Sequence, residues 1–223
     1  MNLICIIGID GGGKTTLAHN VVGTLRQSGL PAIYLYGRTY PMISRLLMFA
    51  GRATLLRRQN IWKAYPDYAN NKKQVMRAPW LAALYTSAIY FDYYLQIWLK
   101  LLPYLFSRVT IVTDRYVYDT VISDLAVHLS YSISQTELAI KRNLIFLPKP
   151  ALTLVIDLPE EVAFSRKTDV PHVEYLRERR GFYQALCGCA KIECLNGELP
   201  PEVLATQVAA KIKMLLASDK VAQ

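Results

Sequence analysis

The run Gly8-Ile9-Asp10-Gly11-Gly12-Gly13-Lys14-Thr15 constrains this chain more than any other stretch. A glycine, four residues, a second glycine, then lysine and threonine is the spacing of a phosphate-binding loop, the P-loop. The flanks fit. Leu3 to Ile7 is an apolar run suited to a buried parallel strand. Leu17, Val21, Val22 and Leu25 then recur at helical spacing. Strand, glycine loop and helix, in that order, aim backbone N–H groups and the positive helix end at an anion. Gly8, Gly11, Gly12 and Gly13 let the backbone approach a phosphate chain closely. Lys14 is expected on the outer phosphates and the Thr15 hydroxyl on Mg²⁺, with Thr16 beside it in the first helical turn.

The same alternation of apolar runs and helical spacing continues along the 223 residues. Strands are expected at Ala32–Tyr36, Val109–Thr113, Ala151–Asp157 and Lys191–Leu195. Helices are expected over about 41–58, 79–102, 118–129, 134–146, from near Pro159, and over 201–216. In the first of these Ile43, Leu46, Leu47 and Ala50 share a face, and the polar residues 60–74 read as a loop. This order implies an α/β fold with a mainly parallel sheet covered on both faces, its ligands at the carboxyl ends of the strands.

Hydrophobic residues make up 52% of the chain, so it has a core to bury. Cys5, Cys187, Cys189 and Cys194 form no C-x-x-C pair and read as reduced core thiols. No secretory signal precedes the first strand, and Leu81 to Phe106 is too polar to span a membrane, so a cytoplasmic location is expected. His19, His128 and His172 lack metal-ligand spacing.

A second constellation follows the third strand. Asp114-Arg115-Tyr116 puts a carboxylate at a strand's carboxyl end, where it suits the Mg²⁺ shell or the acceptor's proton. Arg115 beside it offers a planar fork for a phosphate. The plainer alternative is that Asp114 caps the next helix and Arg115 is solvated.

The glycine loop followed by strand-Asp-Arg-Tyr resembles thymidylate kinase and its nucleoside-monophosphate kinase relatives. Leu147-Pro148-Lys149-Pro150 is similar to that family's strand entry, and Glu160, Ala163 and Arg166 to the helix that follows. Glu174 to Ala185, with Tyr183, resembles the segment after its lid. The resemblance implies a single domain over 1–223, an α/β P-loop NTPase three-layer sandwich with a five-stranded, mainly parallel sheet and a lid at about 166–180. It implies a homodimer that uses ATP and Mg²⁺ to phosphorylate a nucleoside monophosphate, dTMP first. Gly11 occupies the slot where some members carry a P-loop arginine, so one of the lid's basic residues Arg166, Lys167, Arg177, Arg179 and Arg180, Arg166 first, is expected to take that part; a solvated charged helix face is the alternative. Asp10 corresponds to the acid that meets the acceptor sugar; a hydrogen bond to its own loop backbone is the alternative. Arg38 and Arg45 stand where the family binds the acceptor phosphate, and Tyr85 where an aromatic meets the acceptor.

The chain also departs from the pattern. Ile89 stands where an acceptor-binding arginine belongs, and Asp119 and Ser123 replace small polar and aromatic residues. Tyr85, Asp92 and Gln96 share a helix face that suits an acceptor, or are simply packed and paired. A deoxynucleoside or non-nucleotide acceptor, or a nucleotide-binding regulatory role without transfer, are therefore the alternatives. Residues 38–77 carry nine basic residues (Arg38, Arg45, Arg52, Arg57, Arg58, Lys63, Lys72, Lys73 and Arg77) against Asp67, +8 of the chain's +9. That excess reads as a solvated face, or, with Leu46, Leu47, Phe49, Leu55 and Leu56 interleaved, as a surface for anionic membranes or, without sequence specificity, nucleic acid.

Overall fold

β1 (Asn2–Gly8) is buried on both sides, and that alone requires a layer of helices on each face. The computed structural model describes residues 1–54 and 65–221. β2 (Ala32–Tyr36), β3 (Thr110–Asp114), β4 (Leu152–Asp157) and β5 (Ile192–Asn196) join β1 in one sheet of order β2-β3-β1-β4-β5. Every pairing is parallel, where the sequence pointed to a mainly parallel sheet.

Successive β1 side chains point to opposite faces. Ile4 and Ile6 join Val112, Leu154 and Ile156 beneath α1 (Lys14–Gln27). The C-terminal helix, Pro201–Val221, covers the same face with Leu204, Val208 and Ile212. Leu3, Cys5 and Ile7 meet Tyr93, Ile97, Val121, Ile122 and Tyr183 on the other face. The helices there are α4 (Pro79–Leu101), α5 over 117–129 with a wide π turn at Thr120–Ala126, and α8 (Val173–Leu186). Between them in sequence lie α2 (Ile43–Thr54), α3 (Tyr65–Val75), α6 (Ile133–Asn143) and α7 (Glu160–Ser165); Pro201–Val221 is α9.

Several sequence expectations are corrected. Most of 60–74 is helical, because Tyr65, Tyr68, Ala69 and Lys72 form a buried stripe at helical spacing. The Ile43/Leu46 face of α2 is exposed, and Ser44 is the buried contact. Asp92 is buried and accepts from the backbone amides of Met42 (2.8 Å), Ile43 (3.0 Å) and Ser44 (2.9 Å) and from the Ser44 hydroxyl (2.7 Å). It caps the start of α2 from a neighbouring helix and is not offered to a ligand. Gln96 exchanges hydrogen bonds with both backbone groups of Tyr40. Pro159 sits at the N-cap of α7, one position earlier than the first turn. Cys187 and Cys194 are joined as a disulfide between the end of α8 and β5, so only Cys5 is a buried free thiol. Leu55, Leu56, Arg57, Arg58 and Lys63 lie outside the described residues, as do the side chains of Leu47, Ala50 and Arg52.

Candidate functional site

β1 ends at Gly8 and the chain turns through 9–13 into α1. Gly11 has φ 84°, and a Cβ there would collide with the Ala163 carbonyl oxygen of α7. That packing explains why this loop holds no arginine at position 11. Gly13, also left-handed at φ 81°, is the N-cap of α1 and supplies no capping side chain. The first-turn amides of a 14-residue helix are thus left for an external acceptor, as at an anion-binding helix start. Lys14 is 4% exposed and donates to the Ile9 carbonyl (2.7 Å). Burial, with Arg115 nearby, lowers its pKa to about 8.

β3 runs beside β1 with Asp114 opposite Ile6. That register delivers Asp114 to the loop: the Thr15 hydroxyl donates to Oδ2, and Tyr34 approaches the same oxygen at 3.4 Å. Oδ1 is buried without a hydrogen-bond partner. A buried, unsatisfied carboxylate oxygen beside a hydroxyl suits a divalent cation, which Thr15 and Asp114 would help hold. No cluster of three His, Cys, Asp or Glu residues suited to a metal occurs among the described residues. The remaining ligands of such a cation would have to be phosphate oxygens and water.

Arg115 takes the left-handed conformation, φ 71°, which costs a non-glycine residue on the order of 1 kcal/mol. Its amide donates to Ile6 O (2.9 Å), and its guanidinium bridges two carboxylates, Asp10 and Asp119. Burial pulls Asp10 towards protonation, but Lys14 and Arg115 outweigh it and hold the carboxyl well below the usual range. Asp10 therefore faces Arg115 rather than its own loop backbone. Asp119 is fully buried, and its other oxygen accepts from the Tyr183 hydroxyl at 2.6 Å. Sequence reading noted Asp119 and Tyr183 but gave neither a role; the i, i+4 spacing from Arg115 was the available signal. Gly37 was missed too. An added Cβ there would strike the Arg115 carbonyl, so the end of β2 is fitted to this turn.

The acceptor-side residues are less gathered. Arg38 pairs with Asp124 at 3.0 Å, and Lys100 donates to its carbonyl. Tyr85 is buried with Ile89 and Leu125, its hydroxyl on the Asp124 carbonyl (3.1 Å) and facing Lys72 (3.3 Å). It braces α5 and presents no open ring. Arg45 is exposed on α2. Arg166 is exposed just after α7, with no side-chain partner among the described residues. The other arginines of 166–180 are engaged. Arg177 and Arg180 grip Glu160, Arg180 also holds Asp157, and Arg179 lies buried against the Tyr175 ring.

Fold and site together define an α/β protein with a glycine loop, a lysine, a hydroxyl and a carboxylate at the carboxyl edge of a five-stranded parallel sheet. The chain matches no family model and no curated protein sequence.

Proposed function

We propose that this chain is an ATP-dependent phosphotransferase of the thymidylate kinase-like type, moving a phosphoryl group to a nucleoside monophosphate, dTMP first. One observation carries the reading: Thr15 and Asp114, 99 residues apart, meet at the glycine loop while Asp114 Oδ1 stays buried and unpartnered. Structural ion pairs do not ordinarily leave such an oxygen unsatisfied. Bound Mg-ATP would supply the transferable phosphoryl group and the charge that Asp114 lacks. Lys14 holds positive charge at the loop, where it neutralises phosphate oxygens. Asp114 either helps hold the metal or takes the acceptor's proton. Asp10 and Arg115, locked together, form a rigid wall beside it.

A second acceptor class is favoured by one feature. Asp119 saturates the side of Arg115 that Asp10 leaves, so the guanidinium is already neutralised. That suits a hydroxyl acceptor, a deoxynucleoside or a non-nucleotide, better than a monophosphate. A panel of nucleotides, nucleosides and sugar phosphates, scored by ADP release, separates the two. ADP release with none of them, together with no calorimetric binding of Mg-ATP, would overturn both.

A further inference from the structure

We infer that α2 and the outer face of α4 form a docking surface for an anionic lipid bilayer and lie in its interface. The inference stands whether or not the chain transfers phosphate.

The first observation is the apolar surface. On α2 every described side chain except Ser44 is exposed, among them Ile43, Leu46, Met48 and Phe49, the last at 75%. On α4, Leu84, Phe91, Leu95, Trp98 and Leu99 recur along one helical face and all are exposed, and exposed Leu102 follows at the helix end. The opposite face of α4, through Tyr93, Ile97 and Leu101, is already in the core. Asp92 and Gln96 tie the start of α2 to α4, so the two exposed sets belong to adjacent helices. Trp80 and Phe106 extend the surface at either end, at 68% and 99% exposure. Apolar exposure on this scale marks an interaction face. No helix among the described residues is long and apolar enough to cross a membrane, so the surface would lie on a bilayer and not span it.

The second observation is charge. Residues 41–64 contain Arg45, Arg52, Arg57, Arg58 and Lys63 and no acid. Across 38–113 there are eleven basic residues and two acids, but Arg38 and Lys73 pair with Asp124 and Glu178 from other elements and Lys72 and Lys100 are hydrogen-bonded, so the relevant excess is the acid-free stretch 41–64. Basic residues interleaved with leucine and aromatic side chains match an anionic headgroup region, where Trp and Phe settle at the interface. The same charge disfavours a second copy of this chain as the occupant. A two-fold contact would set one acid-free basic stretch against another. Nucleic acid would be met by the charge but has no use for exposed apolar side chains on two adjacent helices.

The test uses the full chain and sedimentation with phosphatidylcholine vesicles, with and without phosphatidylglycerol. The protein should pellet with the anionic vesicles and be released by high salt. Leu46→Asp with Phe49→Asp, and separately Leu95→Asp with Leu99→Asp, should weaken partition at least about tenfold. Arg57→Ala with Arg58→Ala should weaken it about 25-fold, at about fivefold per basic residue near the surface. All these apolar positions are exposed, so the variants should melt as the wild type does. No partition, equal partition to neutral vesicles, or partition untouched by the aspartates would overturn the inference. So would a dimer, seen by sedimentation equilibrium, that the aspartates split. Oligonucleotide binding lost in Arg57→Ala/Arg58→Ala but kept in Leu46→Asp/Phe49→Asp would overturn it in favour of nucleic acid.

Discussion

The strand-end site and the β2–β3 crossover treat charge in opposite ways. At the site Lys14 pairs with Asp10, Arg115 with Asp10 and Asp119, and Arg38 with Asp124. In the crossover Arg45 stands exposed beside exposed leucine and phenylalanine. Residues 38–113 take eleven of the 26 basic residues and two of the 17 acids, and within them Arg38 and Lys73 pair with Asp124 and Glu178 while 41–64 holds five basic residues and no acid. Charge paired inside the molecule holds geometry. Charge left unpaired beside apolar surface faces something outside it.

The largest expected effect falls on the site. Lys14→Ala should lower turnover on the order of a thousandfold while the melting temperature stays close to wild type, since a buried cation is removed along with its charge. Steady-state kinetics and a melting curve check both halves. Normal turnover in a folded variant would sink the kinase reading.

Asp119→Ala tests whether pairing is structural. It strips one carboxylate from Arg115 and the acceptor from the Tyr183 hydroxyl, both in the interior. The expected loss is about 3 kcal/mol, read from urea unfolding. Asp119→Asn should recover part of it, because the amide oxygen still accepts one of the two bonds. A loss below about 1 kcal/mol would mean that Arg115 finds enough in Asp10 alone.

Asp92→Ala probes the join between the two regions. Burial pushes the Asp92 carboxyl up, but the Ser44 hydroxyl and three backbone amides hold its pKa below the ordinary value. The variant should lose about 2 kcal/mol, and hydrogen exchange should quicken over 42–46 before it does in the sheet. Uniform acceleration across β1 and β3 would show that α2 is part of the cooperative core and not an appended element.

What could be read from the chain alone divides along the same line. The strands and the glycine loop were legible because an apolar run and a fixed spacing are local signals, and β3 ended within one residue of expectation, at Asp114. The helix at Tyr65–Val75 was not, since its asparagines and lysines hid a stripe of only four buried residues. On α2 the spacing grouped Ile43 and Leu46 on one face without saying which way it turns; Asp92, a tertiary partner 48 residues from Ser44, fixes the helix with that face outward. Spacing reports which residues share a face. It does not report which side of the face the core lies on. The Asp10–Arg115 half of the bridge was not legible for a related reason, because it joins a loop after β1 to the turn after β3; only the i, i+4 spacing of Arg115 and Asp119 was a local signal. The Cys187–Cys194 link lies seven residues apart, outside the short motif that the cysteines were tested against.

The smallest effect concerns the arginines once expected in a lid. Glu160 accepts from Arg177 Nε and Arg180 Nη1, both at 2.7 Å, and these contacts lower its pKa from 4.5 to about 2. A carboxyl with a depressed folded-state pKa contributes stability that is complete above its unfolded value and is lost as pH falls through the folded one. The window is therefore from about 4.5 down to about 2. Glu160→Gln should cost about 1 kcal/mol at neutral pH, a figure reduced for solvent screening around Arg177, and the difference from wild type should vanish at the acid end of the window. Urea unfolding across that range measures it. The same variant has a kinetic side. If Arg177 and Arg180 only brace α7 and α8, releasing them leaves turnover unchanged, and Arg166, the one arginine of that run without a partner among the described residues, remains the candidate for catalysis. If turnover shifts while Arg166→Ala is silent, the paired arginines are the ones that act, and the division between charge that holds and charge that reaches outward fails at this helix.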